Sequence, residues 1–88
     1  MKNIRYDGAF NKHFKQRVGN NQELINNFKE SVELFIEGNL KSLDDHALRG
    51  KLAGKRAFSI TDDIRVVYTE AGDTIAFLDI GTHDQVYK

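Results

Sequence analysis

The chain has 88 residues, with 13 basic and 13 acidic side chains cancelling to a formal charge of zero, and it has no cysteine. That length makes one domain, 1–88, with a single core and modest stability, and the lack of cysteine excludes a disulfide framework and a thiolate metal site, as suits a reducing cytoplasm. No apolar run approaches the roughly 20 residues that span a bilayer, and the start has no signal-peptide apolar region, so the expectation is a cytoplasmic protein with no membrane role.

In residues 3–6, Ile4 and Tyr6 alternate with polar neighbours and predict a short first strand. Asp7 can cap a helix whose apolar face is Phe10, Phe14 and Val18, spaced by four, and Gly19 and Asn20 break it. Asn20 with Glu23 three residues on has the form of a capping box, opening a second helix. Its stripe, Leu24, Ile25, Phe28, Val32, Phe35 and Ile36, is expected in the core, and Gly38 suits its C-terminus. So short a break predicts an antiparallel helix hairpin. Residues 40–55 show no sustained period and predict an ordered loop, of a length often tied to function. The period then becomes two: a strand over 56–60, a turn at Asp62-Asp63, a strand over 64–69, a loop at Ala71-Gly72-Asp73 and a strand over 74–80. The last strand is nearly continuous in apolar residues and is expected to be central and buried on both faces. The predicted fold is α+β: an N-terminal strand and a two-helix antiparallel hairpin packed on an antiparallel sheet of about four strands.

Charge is unevenly spread. Lys2, Arg5, Lys12, Lys15 and Arg17 crowd the first segment and Arg49, Lys51, Lys55 and Arg56 the middle one, while Glu23, Glu30, Glu33 and Glu37 gather between them. A neutral total can therefore conceal a basic face. In the middle loop, Asp44-Asp45-His46 sets an imidazole beside carboxylates, where it can equally cap a helix or stand exposed. Arg65 interrupts an apolar strand, a place where a charge needs a reason, and an ion pair with Asp63 or Asp79 is one. At the end, Gly81-Thr82-His83 to Tyr87 carries an imidazole and a phenol out of the last strand to the sheet rim.

Histidine can give or take a proton near neutral pH, so His46 and His83 can act as base and acid, while Arg65 can brace developing negative charge. With Lys51, Lys55 and Arg56 for phosphates and Tyr87 for stacking on a base, the set suits metal-free RNA cleavage, the 2′-hydroxyl supplying the nucleophile. His13, His46 and His83 lack close ligand spacing, the glycines form neither usual phosphate loop, and no serine elbow is present. No metal or cofactor is expected.

The loop Asp45-His46-Ala47-Leu48-Arg49-Gly50, the strand Asp63-Ile64-Arg65-Val66-Val67-Tyr68 and the ending Ile80-Gly81-Thr82-His83-Asp84-Gln85-Val86-Tyr87 resemble the RelE/ParE toxin superfamily, most closely its YafQ and RelE/StbE branch. The resemblance covers nearly the whole chain. It implies the toxin of a type II toxin–antitoxin pair, an mRNA interferase that cuts mRNA on the translating ribosome to leave a 2′,3′-cyclic phosphate and a 5′-hydroxyl. It also implies a cognate antitoxin wrapped over the toxin, with DNA met only through that complex. Carried over by position, His46, Asp63, His83 and Tyr87 match functional positions of YafQ-like enzymes, and Arg65 matches the strand arginine of RelE-like members. His83 is then the acid, with His46 or Asp63 the base. Ser59 stands where YafQ-like enzymes carry another histidine and Ile64 where they carry a tryptophan; serine cannot shuttle a proton as imidazole does, and isoleucine stacks poorly on a base. A gyrase-blocking poison of the ParE kind, and an inactive toxin fold acting within a repressor complex, are the alternatives.

Overall fold

The alternation of Ile4 and Tyr6 does make a first strand, β1 (Asn3–Tyr6). Its partner is the far end of the chain. In the computed structural model, which describes residues 3–87, β1 pairs in parallel with the last strand, Ile4 opposite Ile75 and Tyr6 opposite Phe77. Between them come α1 (Gly8–Arg17), α2 (Gln22–Ile36), β2 (His46–Ala47), β3 (Arg56–Ser59), β4 (Ile64–Ala71) and β5 (Thr74–Thr82), and α3 (His83–Val86) closes the described chain. The strands form one five-stranded sheet in the order β1-β5-β4-β3-β2, with every pair antiparallel except β1 and β5. The sheet is therefore mixed, not purely antiparallel. Side-chain alternation identifies strand residues but says nothing of a neighbour's direction, and β2 is too short to display a period.

Both helices cover one sheet face, where Phe10, Phe35, Phe58, Tyr68 and Phe77 meet in an aromatic core. Phe14 and Phe28, edge to face at 5.0 Å, join α1 to α2 across their shared apolar side. Two local expectations shift. The N-cap of α2 is Asn21, whose side-chain oxygen accepts from the Leu24 N–H at 3.1 Å, so the Asn20–Glu23 box does not form. The apolar stripe ends at Phe35, because Ile36 turns outward and is 59% exposed.

The other sheet face carries a smaller cluster of Ala57, Val67 and Val86, packed by Leu48, Leu78 and Tyr87. A bulge explains how β5 feeds both faces. Val67 lies opposite Asp79 but Tyr68 opposite Phe77, so Leu78 is the unpaired residue, and Phe77 and Ile80, three apart, both reach the main core. β5 is enclosed as expected, although β4 is the middle strand. Past Phe77 the outer edge of β5 has no strand beside it, and side chains answer its backbone groups. Arg17 Nη1 donates to the Ile80 carbonyl at 2.8 Å, and the Ile80 N–H donates to Asp79 Oδ1 at 2.8 Å.

Of the first basic group, Lys2 lies outside the described residues. Among the described residues no helix is long and apolar enough to cross a membrane.

Candidate active site

The 40–55 segment is ordered around a single turn. Asp44 adopts the left-handed conformation (φ 53°, ψ 40°), which a short polar side chain tolerates better than most. The chain then drives Asp45 inward, its side chain only 1% exposed. There the carboxylate accepts from Arg56, through Nε at 2.8 Å and through Nη2, and from the Tyr68 hydroxyl. The bond from Asp45 raises the Arg56 pKa, while burial first and Asp45 second raise that of the Tyr68 phenol. The guanidinium expected to meet RNA is thus engaged within the fold, tying loop to sheet.

That tie delivers His46 to the sheet edge, in register with Ala57. His46 Nδ1 lies 2.9 Å from the Asp44 carbonyl oxygen. A carbonyl only accepts, so Nδ1 carries the proton and Nε2 is left as the nitrogen with a lone pair in the neutral ring.

On the far side, Thr82 and Gln85 form a reciprocal capping box, with Gln85 N–H to Thr82 Oγ1 at 3.3 Å and Thr82 N–H to Gln85 Oε1 at 2.8 Å. The box begins α3, which sets His83 and Tyr87 one turn apart, ring centroids 4.4 Å apart and edge to face. Sequence reading took this stretch as a plain strand exit; the spacing of Thr82 and Gln85 is the signal that identifies the helical turn.

His46, Arg49, Lys51, Leu52, His83 and Tyr87 line one cavity of about 600 Å³. Two histidines distant in sequence thereby share a hollow with two cations and a phenol. Arg49 joins a set in which it was not singled out. A smaller hollow of about 270 Å³ is lined by Asp44, Ser59, Thr61, Asp62 and Arg65 among others. The chain passes from one hollow to the other between Asp44 and His46. Arg65 sits on β4 opposite Ser59 and Gly81, and its Nη1 is 4.0 Å from Asp44 Oδ2.

Neither ion pair considered for Arg65 forms. Asp79 is held instead by His13 at 2.6 Å and Arg17 at 3.3 Å, a cluster that sequence reasoning missed because its members are far apart along the chain. Asp63 is exposed in the turn before β4 and lines neither hollow. Lys55 is half-buried at the end of the loop, outside both hollows, its carbonyl accepting from the Leu48 N–H at 2.9 Å. Ile64 packs in the main core.

Among the described residues, Arg65 Nε and the Tyr87 hydroxyl are the buried side-chain polar atoms with no hydrogen-bond partner. Folding normally pairs such atoms, and an orphan is a cost in stability that calls for an explanation. Both belong to residues singled out from sequence for chemistry.

The family model described as bacterial toxin of type II toxin-antitoxin system, YafQ, matches residues 2–88. No curated protein matches the chain significantly. Among solved structures, YafQ from E. coli strain BL21(DE3) superposes with a TM-score of 0.83 at 23% identity, covering 100% of both chains. YafQ from the E. coli DinJ-YafQ complex gives 0.82 at 24% identity, again over 100% of both. The YoeB dimer from Staphylococcus aureus gives 0.75 at 18% identity over 93% of this chain and 97% of that one. At these identities the structural likeness is one of fold.

Proposed function

Because the chain belongs to the YafQ family of toxins of bacterial type II toxin–antitoxin systems, we propose that it is a metal-independent endoribonuclease acting on mRNA at the translating ribosome, in the cytoplasm, and restrained by a cognate antitoxin. The observation that carries this is the shared cavity: His46 and His83 face it together, with Lys51, Arg49 and Tyr87 around them. A base, an acid and cations within one hollow are the parts that phosphoryl transfer from an internal hydroxyl requires.

In the reaction His46 Nε2 takes the proton of the ribose 2′-hydroxyl as O2′ attacks the adjacent phosphorus. The O2′–P bond forms, the P–O5′ bond breaks, and His83 protonates the departing O5′. The products are a 2′,3′-cyclic phosphate and a 5′-hydroxyl. His46 is preferred to Asp63 as base because Asp63 lines neither the cavity nor the neighbouring hollow that holds Arg65. Arg65, from the neighbouring hollow, steadies the charge that builds on the phosphoryl oxygens, and Tyr87 presents its ring beside His83 for stacking on a base. Lys51 and Arg49 hold flanking phosphates, with Lys55 behind them, while Arg56 keeps the loop in place. The complexes of YafQ with DinJ and of YoeB with YefM support an antitoxin as partner.

Inducible expression in a bacterium tests this, with mRNA 5′ ends mapped for the wild type beside His83→Ala. The expected result is growth arrest with new 5′-hydroxyl ends inside reading frames, both lost in the variant. Arrest without cleavage would point to a gyrase-type poison, and absence of arrest to a toxin fold that serves a repressor complex.

A further inference from the structure

His13, Arg17 and Asp79 form a charged cluster outside both hollows, where β5 runs out towards α3. Their side chains are only 26%, 21% and 24% exposed, which sets them apart from surface ion pairs that water and salt screen. His13 and Arg17 stand one turn apart on α1 and so reach the same acceptor. Asp79 Oδ1 accepts from His13 Nδ1 at 2.6 Å, from Arg17 Nη1 at 3.3 Å and from the Ile80 N–H at 2.8 Å. Arg17 Nη1 also donates to the Ile80 carbonyl at 2.8 Å. α1 is thereby fastened to β5 at the residue before Gly81.

What lies beyond that fastening is α3. A helix of four residues has no stability of its own, so its place is decided by the residues that lead into it. The inner edge of β5 is paired with β4 as far as Thr82, opposite Ile64, whereas its pairing with β1 on the outer edge ends at Phe77. Gly81 shows how near Arg17 comes to the start of the helix. A β-carbon there would lie 2.7 Å from Arg17 Nη1 and 2.6 Å from Gln85 Oε1, so guanidinium and carboxamide crowd the same point. Gln85 Oε1 is the atom that accepts from the Thr82 N–H and closes the capping box of α3. Arg17 therefore abuts the capping box from outside the site. It lines neither hollow and its charge is answered by Asp79, so it is not placed to hold a phosphate.

We infer that Arg17, oriented by Asp79 and His13, is a positioning residue for RNA cleavage: it fixes the junction of β5 with α3 and, through it, where the His83 imidazole stands as the P–O5′ bond breaks. The inference rests on the nuclease reading, and adds a residue of α1 that serves the reaction without touching RNA. A reacting group misplaced by about 1 Å costs up to about a hundredfold in rate, so a small slip of α3 is enough.

The test is single-turnover cleavage of mRNA on programmed ribosomes by the full-length chain, with amide hydrogen exchange followed on the same samples. Arg17→Ala should lower the maximal rate about tenfold or more and leave half-saturation unchanged. The Gln85 and Tyr87 amides should exchange faster, while those of β3 and β4 keep the parent's protection. Guanidinium ion, well below denaturing concentrations, should restore part of both. Arg17→Lys, which keeps the charge and one donor, should fall between, as should Asp79→Asn, in which the Ile80 carbonyl still holds Arg17. Lys15→Ala, exposed on the same helix, should match the parent. Raised half-saturation at an unchanged maximal rate would make Arg17 an RNA-binding cation, and a rate that falls only with the folded fraction would make it structural; either overturns the role. Parent-like rate and exchange in Arg17→Ala overturn it too, and leave the nuclease reading standing. Should Arg17→Ala not fold, Arg17→Lys decides, a parent-like maximal rate counting against the role. No cleavage by the parent overturns both.

Discussion

A buried hydroxyl without a partner costs folding about 1–3 kcal/mol, and Tyr87 carries one. Its ring is well placed, edge-on to His83 and packed against the small cluster of Ala57, Val67 and Val86, so the ring contributes to stability while the oxygen does not. Tyr87→Phe keeps the ring and removes the orphan. The expected outcome is a protein as stable as the parent or more stable by about 1 kcal/mol in urea unfolding, with RNA cleavage close to the parent's because the ring beside His83 is kept. A less stable variant would show that the oxygen has a partner within the fold, and a stable one with cleavage lower by about tenfold or more would give the hydroxyl a part in the site.

At the scale of elements, His83 and Tyr87 are set by α3, and α3 depends on the small size of Gly81. Its backbone is ordinary; space is the constraint. A β-carbon there would lie 2.6 Å from Gln85 Oε1 and 2.7 Å from Arg17 Nη1. Those atoms close the capping box and the edge of β5, so Gly81→Ala must displace one or both. The expected cost is about 1–2 kcal/mol, the scale of a lost cap, with faster hydrogen exchange at the α3 amides and cleavage reduced beyond what stability explains. Unchanged exchange there would mean that the two flexible side chains step aside freely. The same element shows where sequence reading stops. Regular elements were legible: α2 from its apolar stripe, β3 and β4 from their alternation, and β5 from its nearly continuous apolar run. β2 was not, because two residues have no period, nor was the bulge at Leu78, which the register with β4 creates. The site was legible as residue types and not as geometry. Asp44 and Asp45 are neighbours of identical chemistry, yet a left-handed turn leaves one exposed beside Arg65 and buries the other under Arg56 and Tyr68. Nothing local distinguishes them, so Arg56 read as a free cation and Arg65 as a partner of the wrong aspartates.

For the whole molecule, the Asp45–Arg56–Tyr68 contact links folding to alkali through the Tyr68 phenol. Burial and the neighbouring carboxylate both oppose ionisation of Tyr68, so its pKa in the folded protein stands above the ordinary value. An unfolded tyrosine ionises near pH 10. Above that pH the unfolded chain releases a proton that the folded chain retains, so the unfolded state binds fewer protons and stability falls as pH rises. The contribution is therefore complete below about pH 10 and is lost upward through the raised folded value. Tyr68→Phe removes the titrating group together with one donor to Asp45, at a cost of about 1–3 kcal/mol at neutral pH. Urea unfolding from neutral pH to beyond pH 10 should then give two curves, the variant starting lower and falling less steeply, so that the gap between them closes at high pH. Because every other titratable group is common to both proteins, the changing gap isolates Tyr68. A constant gap would mean that the phenol ionises alike in the folded and unfolded chain, and that the tie between the 40–55 loop and the sheet rests on Arg56 alone.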